Sequence, residues 1–171
     1  GNLNVNKQIS KLLDLMLDND LYSFDKFHIV GSGNLELQLK RKISDMNFNS
    51  KVIMHGRLSS QDTFKILRNC SVLVLPSLNE GWGVVVNEAL LLGVPVIVSD
   101  AVGSSVLLSS KRGSVFPKGN YDELSHLLKN FHTNYLEYQE SSAIAKWAHD
   151  NISTTKAASH FHKILDYTYG K

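Results

Sequence analysis

Two short runs, Val72-Leu73-Val74-Leu75 and Val96-Ile97-Val98, limit what this chain can fold into more than any other feature. Both are continuously apolar and do not alternate. A strand with one wet face alternates, so an unbroken run reads as a strand covered on both faces, which points to a parallel sheet between helix layers. The surrounding segments Ser71–Ser77 and Pro95–Asp100 are therefore taken as strands. Phe27–Gly31, Lys51–Gly56 and Gly113–Pro117 are three more candidates.

Helical spacing fills the intervals. Ile9, Leu12, Leu13 and Met16 share a face over Lys7–Leu17, Leu35, Leu39 and Ile43 over Leu35–Met46, and Phe64 and Leu67 over Ser60–Leu67. Val84–Leu92 is apolar almost all round and stops at Gly93, ahead of Pro95. Leu124–Phe131 is another helix, and Tyr135–Tyr169 reads as two helices broken near Asn151-Ile152-Ser153. Strand and helix alternate, and parallel strands need crossover helices. The expected fold is a Rossmann-like, doubly wound α/β domain with C-terminal helices over about 135–171. Ligands of such sheets bind beyond the carboxyl ends of the strands.

The 171 residues, 43% of them hydrophobic, suit a single domain with its own core. Eighteen basic and 16 acidic residues leave a net charge of +2, too little for the broad basic field that nucleic acid needs. A small anion needs only a local positive site. One cysteine, Cys70, excludes an intramolecular disulfide and fits a reducing, cytoplasmic setting. No apolar run approaches the roughly 20 residues that span a bilayer, and the first residues carry no signal-peptide pattern. The abrupt opening Gly1-Asn2-Leu3-Asn4-Val5-Asn6-Lys7 reads as part of a larger enzyme.

Chemistry concentrates in Leu75-Pro76-Ser77-Leu78-Asn79-Glu80-Gly81-Trp82-Gly83, between a buried strand and a buried helix. Gly81 and Gly83 remove side chains, so backbone N–H groups can approach a ligand. The helix that starts near Val84 adds unpaired N–H groups and the positive end of its dipole, an arrangement suited to a diphosphate. Glu80 precedes this helix, and Glu88 lies about one turn inside it, among valines and leucines. A carboxylate on so apolar a helix is costly unless it is hydrogen-bonded or faces a wet cavity. On the residues alone, two readings stand. Either both acids line a ligand crevice, or Glu80 caps the helix and Glu88 occupies its one wet side.

Glu80-Gly-Trp-Gly-Val-Val-Val-Asn-Glu88-Ala89, followed by Gly93-Val94-Pro95-Val96-Ile97, resembles the Glu-x7-Glu signature of retaining glycosyltransferases of the GT-B fold, the family known as glycosyl transferases group 1 (family 4 in the sequence classification). The flanks match in order: Ile29-Val30-Gly31-Ser32-Gly33, Met54-His55-Gly56-Arg57-Leu58 and Leu73-Val74-Leu75-Pro76-Ser77. The resemblance runs from about residue 27 to 131. It implies the C-terminal, donor-binding half of such an enzyme. Glu88 would hold the ribose hydroxyls and Glu80 the transferred hexose. The backbone of Gly81, Trp82, Gly83 and Val84 would meet sugar hydroxyls and diphosphate. Arg57 and Leu58 would lie beside the base, Gly31 beside the donor, and Lys7 on the diphosphate. It implies no cofactor and no obligatory metal. The acceptor, a glycan or a lipid-linked sugar, would sit on an N-terminal domain outside this chain. The full-length enzyme would be cytoplasmic, with peripheral association at the inner face of a membrane also compatible.

Departures from the family pattern are specific. Asn2 stands where an arginine is usual, and the strand normally preceding that loop is not in the chain. Val102-Gly103-Ser104-Ser105-Val106-Leu107 replaces Gly-Gly-x-Pro-Glu, without its acid. A nucleotide-sugar epimerase of the same fold and a non-catalytic nucleotide-sugar-binding module are the alternatives.

Other signals carry less. After Gly31-x-Gly33, the third position of a dinucleotide fingerprint is Glu36 rather than glycine. Asp18-Asn19-Asp20 matches a metal motif but reads as a solvated turn. His160 and His162 lie two apart on a helix and diverge. His55 reads as a structural histidine near the crevice, Cys70 as a small core residue, and Lys111-Arg112 as a solvated turn. Trp82 either stacks on a ligand or packs under its loop. A receiver-type regulatory domain would need an acidic pair to accompany Asp100, and no earlier strand ends in one.

Overall fold

The computed structural model describes residues 1–16, 24–133 and 141–153. Asp18-Asn19-Asp20, His160, His162 and most of the segment Tyr135–Tyr169 lie outside them. Five strands and six helices alternate: α1 (Ile9–Leu15), β1 (Phe27–Val30), α2 (Glu36–Asp45), β2 (Val52–Gly56), α3 (Ser60–Leu67), β3 (Leu73–Leu75), α4 (Val84–Leu91), β4 (Val96–Ser99), β5 (Gly113–Phe116), α5 (Tyr121–Thr133) and α6 (Ser141–Ile152). All strand pairings are parallel.

The non-alternating run in β4 has a direct cause. Val96 and Val98 point into a core shared with Val86, Ala89 and Leu90 of α4 and with Ile144 and Ala148 of α6. Ile97, on the opposite face, packs on Phe116 and on Leu124, Leu128 and Phe131 of α5. Both faces of β4 are dry, so apolar side chains are favoured at every position. A third core lies under β1 and β2, where Ile29 and Val52 meet Leu13, Leu39 and Ile43.

Among the described residues β1 pairs with β2, and β3, β4 and β5 form a second ladder. Gly1–Leu3 runs parallel to the chain just beyond β1: the Gly1 amine donates to Val30 O at 2.9 Å and Leu3 N to Ser32 O at 2.9 Å. Gly31 makes this contact feasible. Its φ is +141°, and a Cβ there would stand 1.9 Å from Gly1 O.

One expected helix starts later than its periodicity suggests. Lys7 closes a short 3-10 turn, Val5–Lys7, and Gln8 takes a left-handed conformation (φ 54°) before α1 begins at Ile9. The remaining elements fall within a few residues of the expected bounds. α3 is capped by Ser59, whose hydroxyl accepts from Asp62 N at 3.1 Å.

Leu90 is fully buried in the α4 core, whereas Val84 on the same helix is 63% exposed. Leu90→Ala should cost about 2–5 kcal/mol in urea denaturation, and Val84→Ala should change stability by no more than about 0.5 kcal/mol.

Candidate functional site

The carboxyl ends of β1 and β3 open onto a cavity of about 1280 Å³. Its mouth lies between the N-terminal loop, the β3–α4 loop and the start of α4. Every residue that the sequence assigned to the donor site borders this cavity: Glu80 and Glu88, the Gly81–Val84 stretch, Lys7, Arg57 with Leu58, and Gly31.

The path of the β3–α4 loop is set first by backbone hydrogen bonds. Glu80 N donates to Ala101 O at 3.1 Å, Gly103 N to Glu80 O at 3.1 Å and Ser104 N to Trp82 O at 2.9 Å, and Glu80 bridges Val102 in parallel fashion. This short ladder fixes Glu80 through Trp82 in an extended path along the crevice. Gly83 then turns the chain into α4 with φ +81°. A Cβ there would press on Val102 Cγ1 at 2.9 Å, so the turn needs glycine on both counts. No side chain caps α4. Among the described residues the amides of Gly81, Trp82, Gly83 and Val84 find no backbone acceptor, and they stand at the positive end of the helix dipole.

Charge is distributed around these amides. Lys7 Nζ donates to Glu80 Oε2 across the crevice, with both side chains about four-fifths buried. Glu80 is therefore bound to a cation and does not act as the cap of α4. Glu88 is half-buried, on the side of α4 that faces the cavity. Burial raises its pKa. Lys7 and Arg57 both line the cavity, so two cations border the same space.

Trp82 is 45% exposed on the rim, and its indole N–H donates to Asn87 Oδ1 at 2.9 Å. It does not pack under the loop. Asn2 bridges Ser32 and leaves Lys7 as the cation that the N-terminal loop brings to the crevice. The Val102–Leu107 segment forms a 3-10 turn whose buried Ser104 donates to Gly83 O at 3.4 Å, so it supports the glycine turn from beneath.

Several polar residues lie differently from what the sequence suggested. Asp100 Oδ1 accepts from Lys118 N at 2.9 Å and so belongs to the β5–α5 turn. Arg112 is not a solvated turn residue: its Nε donates to Leu107 O at 3.0 Å and its guanidinium lies 3.7 Å from the Trp147 ring centroid, fastening α6. Cys70 is half-buried, and burial raises its thiol pKa. His55 stacks on His28 with Nε2 2.9 Å from His28 Nδ1, a pairing of neighbouring strands that single-sequence patterns do not reveal. Among the described residues, no cluster of three or more His, Cys, Asp or Glu could hold a metal, and no helix is long and apolar enough to cross a membrane.

The fold is the Rossmann-like half of a GT-B glycosyltransferase. The chain belongs to the glycosyl transferases group 1 family, whose model matches residues 1–147. It is 35% identical over 107 residues to a GDP-mannose-dependent monoacylated alpha-(1-6)-phosphatidylinositol monomannoside mannosyltransferase of Corynebacterium glutamicum, a match covering 58% of this chain and 28% of that protein. It is also 35% identical over 97 residues to an Escherichia coli UDP-Gal:alpha-D-GlcNAc-diphosphoundecaprenol alpha-1,3-galactosyltransferase, covering 56% of this chain and 24% of that one. Among solved structures, Anabaena HepE in complex with UDP superposes with a TM-score of 0.83 at 19% identity, over 98% of this chain and 47% of that chain. The matched regions are thus a quarter to a half of these proteins' lengths.

The histidine pair gives the site a pH-dependent neighbour. Burial, then His55 and Lys26, lower the pKa of His28, so the fold accommodates its neutral form. Its contribution to stability is complete above the unfolded value of about 6.5 and is lost as pH falls from there through the lower folded value. The urea midpoint should therefore drop between about pH 7.5 and pH 5, and His28→Gln should flatten part of that drop. Superimposable profiles for the two proteins would remove His28 as a source.

Proposed function

We propose that this chain is the donor-binding domain, residues 1–171, of a retaining hexosyltransferase. The full-length enzyme would move a hexose from a nucleoside diphosphate sugar to an acceptor hydroxyl. The observation that carries this reading is the row of amides at the start of α4, unpartnered among the described residues, facing Lys7 across a crevice flanked by Glu80 and Glu88. Donors aligned on one side of a crevice, with a cation opposite, suit a diphosphate, which bears concentrated negative charge. The same groups would stabilise the charge that grows on the departing diphosphate during transfer.

The two acids divide the remaining work. Glu88, half-desolvated and without a hydrogen-bond donor among the described residues, is suited to receive two ribose hydroxyls. Glu80, close to the amides, would orient the hexose so that the acceptor meets its anomeric carbon. Lys7 would then be shared between Glu80 and the diphosphate. The printed activities of relatives support the donor class, since one uses GDP-mannose and another UDP-Gal, and HepE was solved with UDP. Both of those relatives act on lipid-linked acceptors, which supports a glycan or lipid-linked acceptor bound by a partner domain, and with it a cytoplasmic enzyme working at a membrane face.

Calorimetry with UDP, GDP and ADP, and with their sugar conjugates, tests the reading. One of the nucleotides should bind, and Glu88→Gln should weaken it about tenfold or more. Glu80→Gln should spare the free nucleotide and reduce the extra affinity of the sugar conjugate. If none of the three nucleotides binds, the donor-site reading is wrong.

A further inference from the structure

The turn that presents Lys7 is under strain, and one distant side chain holds it. Gln8, next to Lys7, has φ 54° and ψ 25°, a region that a non-glycine residue occupies only where its surroundings fix it. Both ends of its side chain are engaged. Gln8 Nε2 donates to Val5 O at 2.6 Å, and Gln8 Oε1 accepts from the Tyr121 hydroxyl. The rest of the turn is also bonded. Asn4 Oδ1 accepts from Asn6 N at 3.0 Å, Lys7 N donates to Asn4 O at 3.1 Å, and Leu78 N donates to Asn6 O at 2.8 Å.

Tyr121 is the first residue of α5, at the carboxyl end of β5 and 113 positions from Gln8. Its backbone is set by a compact turn: Asn120 N donates to Pro117 O at 3.0 Å, Glu123 N to Asn120 Oδ1 at 3.1 Å, and Lys118 N to Asp100 Oδ1 at 2.9 Å. Partial burial raises the pKa of its phenol, which therefore stays a donor across the neutral range. A donor held by this turn thus meets the side chain of the left-handed residue next to Lys7.

We propose that Tyr121 is a positioning residue for the diphosphate: through Gln8 it fixes the turn that aims Lys7 at the amides of α4. The proposal rests on the donor-site reading above and adds a determinant that touches no ligand. It makes binding of the phosphates, not of the nucleoside, depend on a hydroxyl at the start of α5 that does not line the cavity.

The test compares affinities for a nucleoside diphosphate and for the matching nucleoside, by calorimetry, in the whole chain. Tyr121→Phe should weaken the diphosphate about three- to tenfold and change nucleoside affinity by less than about twofold. In a Lys7→Met background the same substitution should have no further effect beyond about twofold, because its route to the ligand is gone. Gln8→Met, which keeps the stem and removes both hydrogen bonds, should reproduce the selective loss should Tyr121→Phe prove unstable. Equal weakening of diphosphate and nucleoside, an unchanged diphosphate affinity, or an undiminished effect in the Lys7→Met background would each overturn the proposal. Failure of the unaltered chain to bind any nucleotide would instead strike the donor-site reading itself.

Discussion

Strand β4 has no wet side, and the rest of the architecture follows from that. Val96 and Val98 require a helix layer on one face and Ile97 requires one on the other. α4 and α6 cover the first face, and α5 covers the second. Because α4 is pressed against β4 through Val86, Ala89 and Leu90, its N-terminus cannot drift, and the loop before it must arrive at a fixed point. The short ladder between Glu80–Trp82 and Ala101–Ser104 serves that need. Burial of a few valines and leucines therefore determines where a row of unpaired amides faces outward.

The electrostatics of the crevice are built on this frame. Lys7 and Glu80 come from opposite walls and meet in a largely buried pair. Such a pair contributes little net stability, since desolvation offsets much of its attraction. Its effect is to keep a cation and a carboxylate side by side at the mouth, where the helix dipole already favours an anion. Glu88 is the counterpart on the helix itself, half-desolvated and without a hydrogen-bond partner among the described residues.

Much of this was legible in the chain because it depends on local pattern. The dry strands, the glycines around Trp82, and the spacing of Glu80 and Glu88 are all consequences of side-chain type at fixed intervals. Features that depend on long-range pairing were not legible. The helix periodicity of Ile9 through Met16 extends back to Lys7, and nothing local reveals that Tyr121 would hold Gln8 in a left-handed turn. His28 reads as an ordinary strand residue until β2 brings His55 against it. Arg112 reads as a solvated turn until α6 supplies Trp147.

The bonds made by residues 1–8 have a consequence of their own. Leu3 is tied to Ser32, Asn6 to Leu78, Lys7 to Glu80 and Gln8 to Tyr121. One short stretch thus stitches together parts of the chain up to 113 positions apart. A substitution at the far end of any one stitch can shift the cation of the crevice while every lining side chain remains in place.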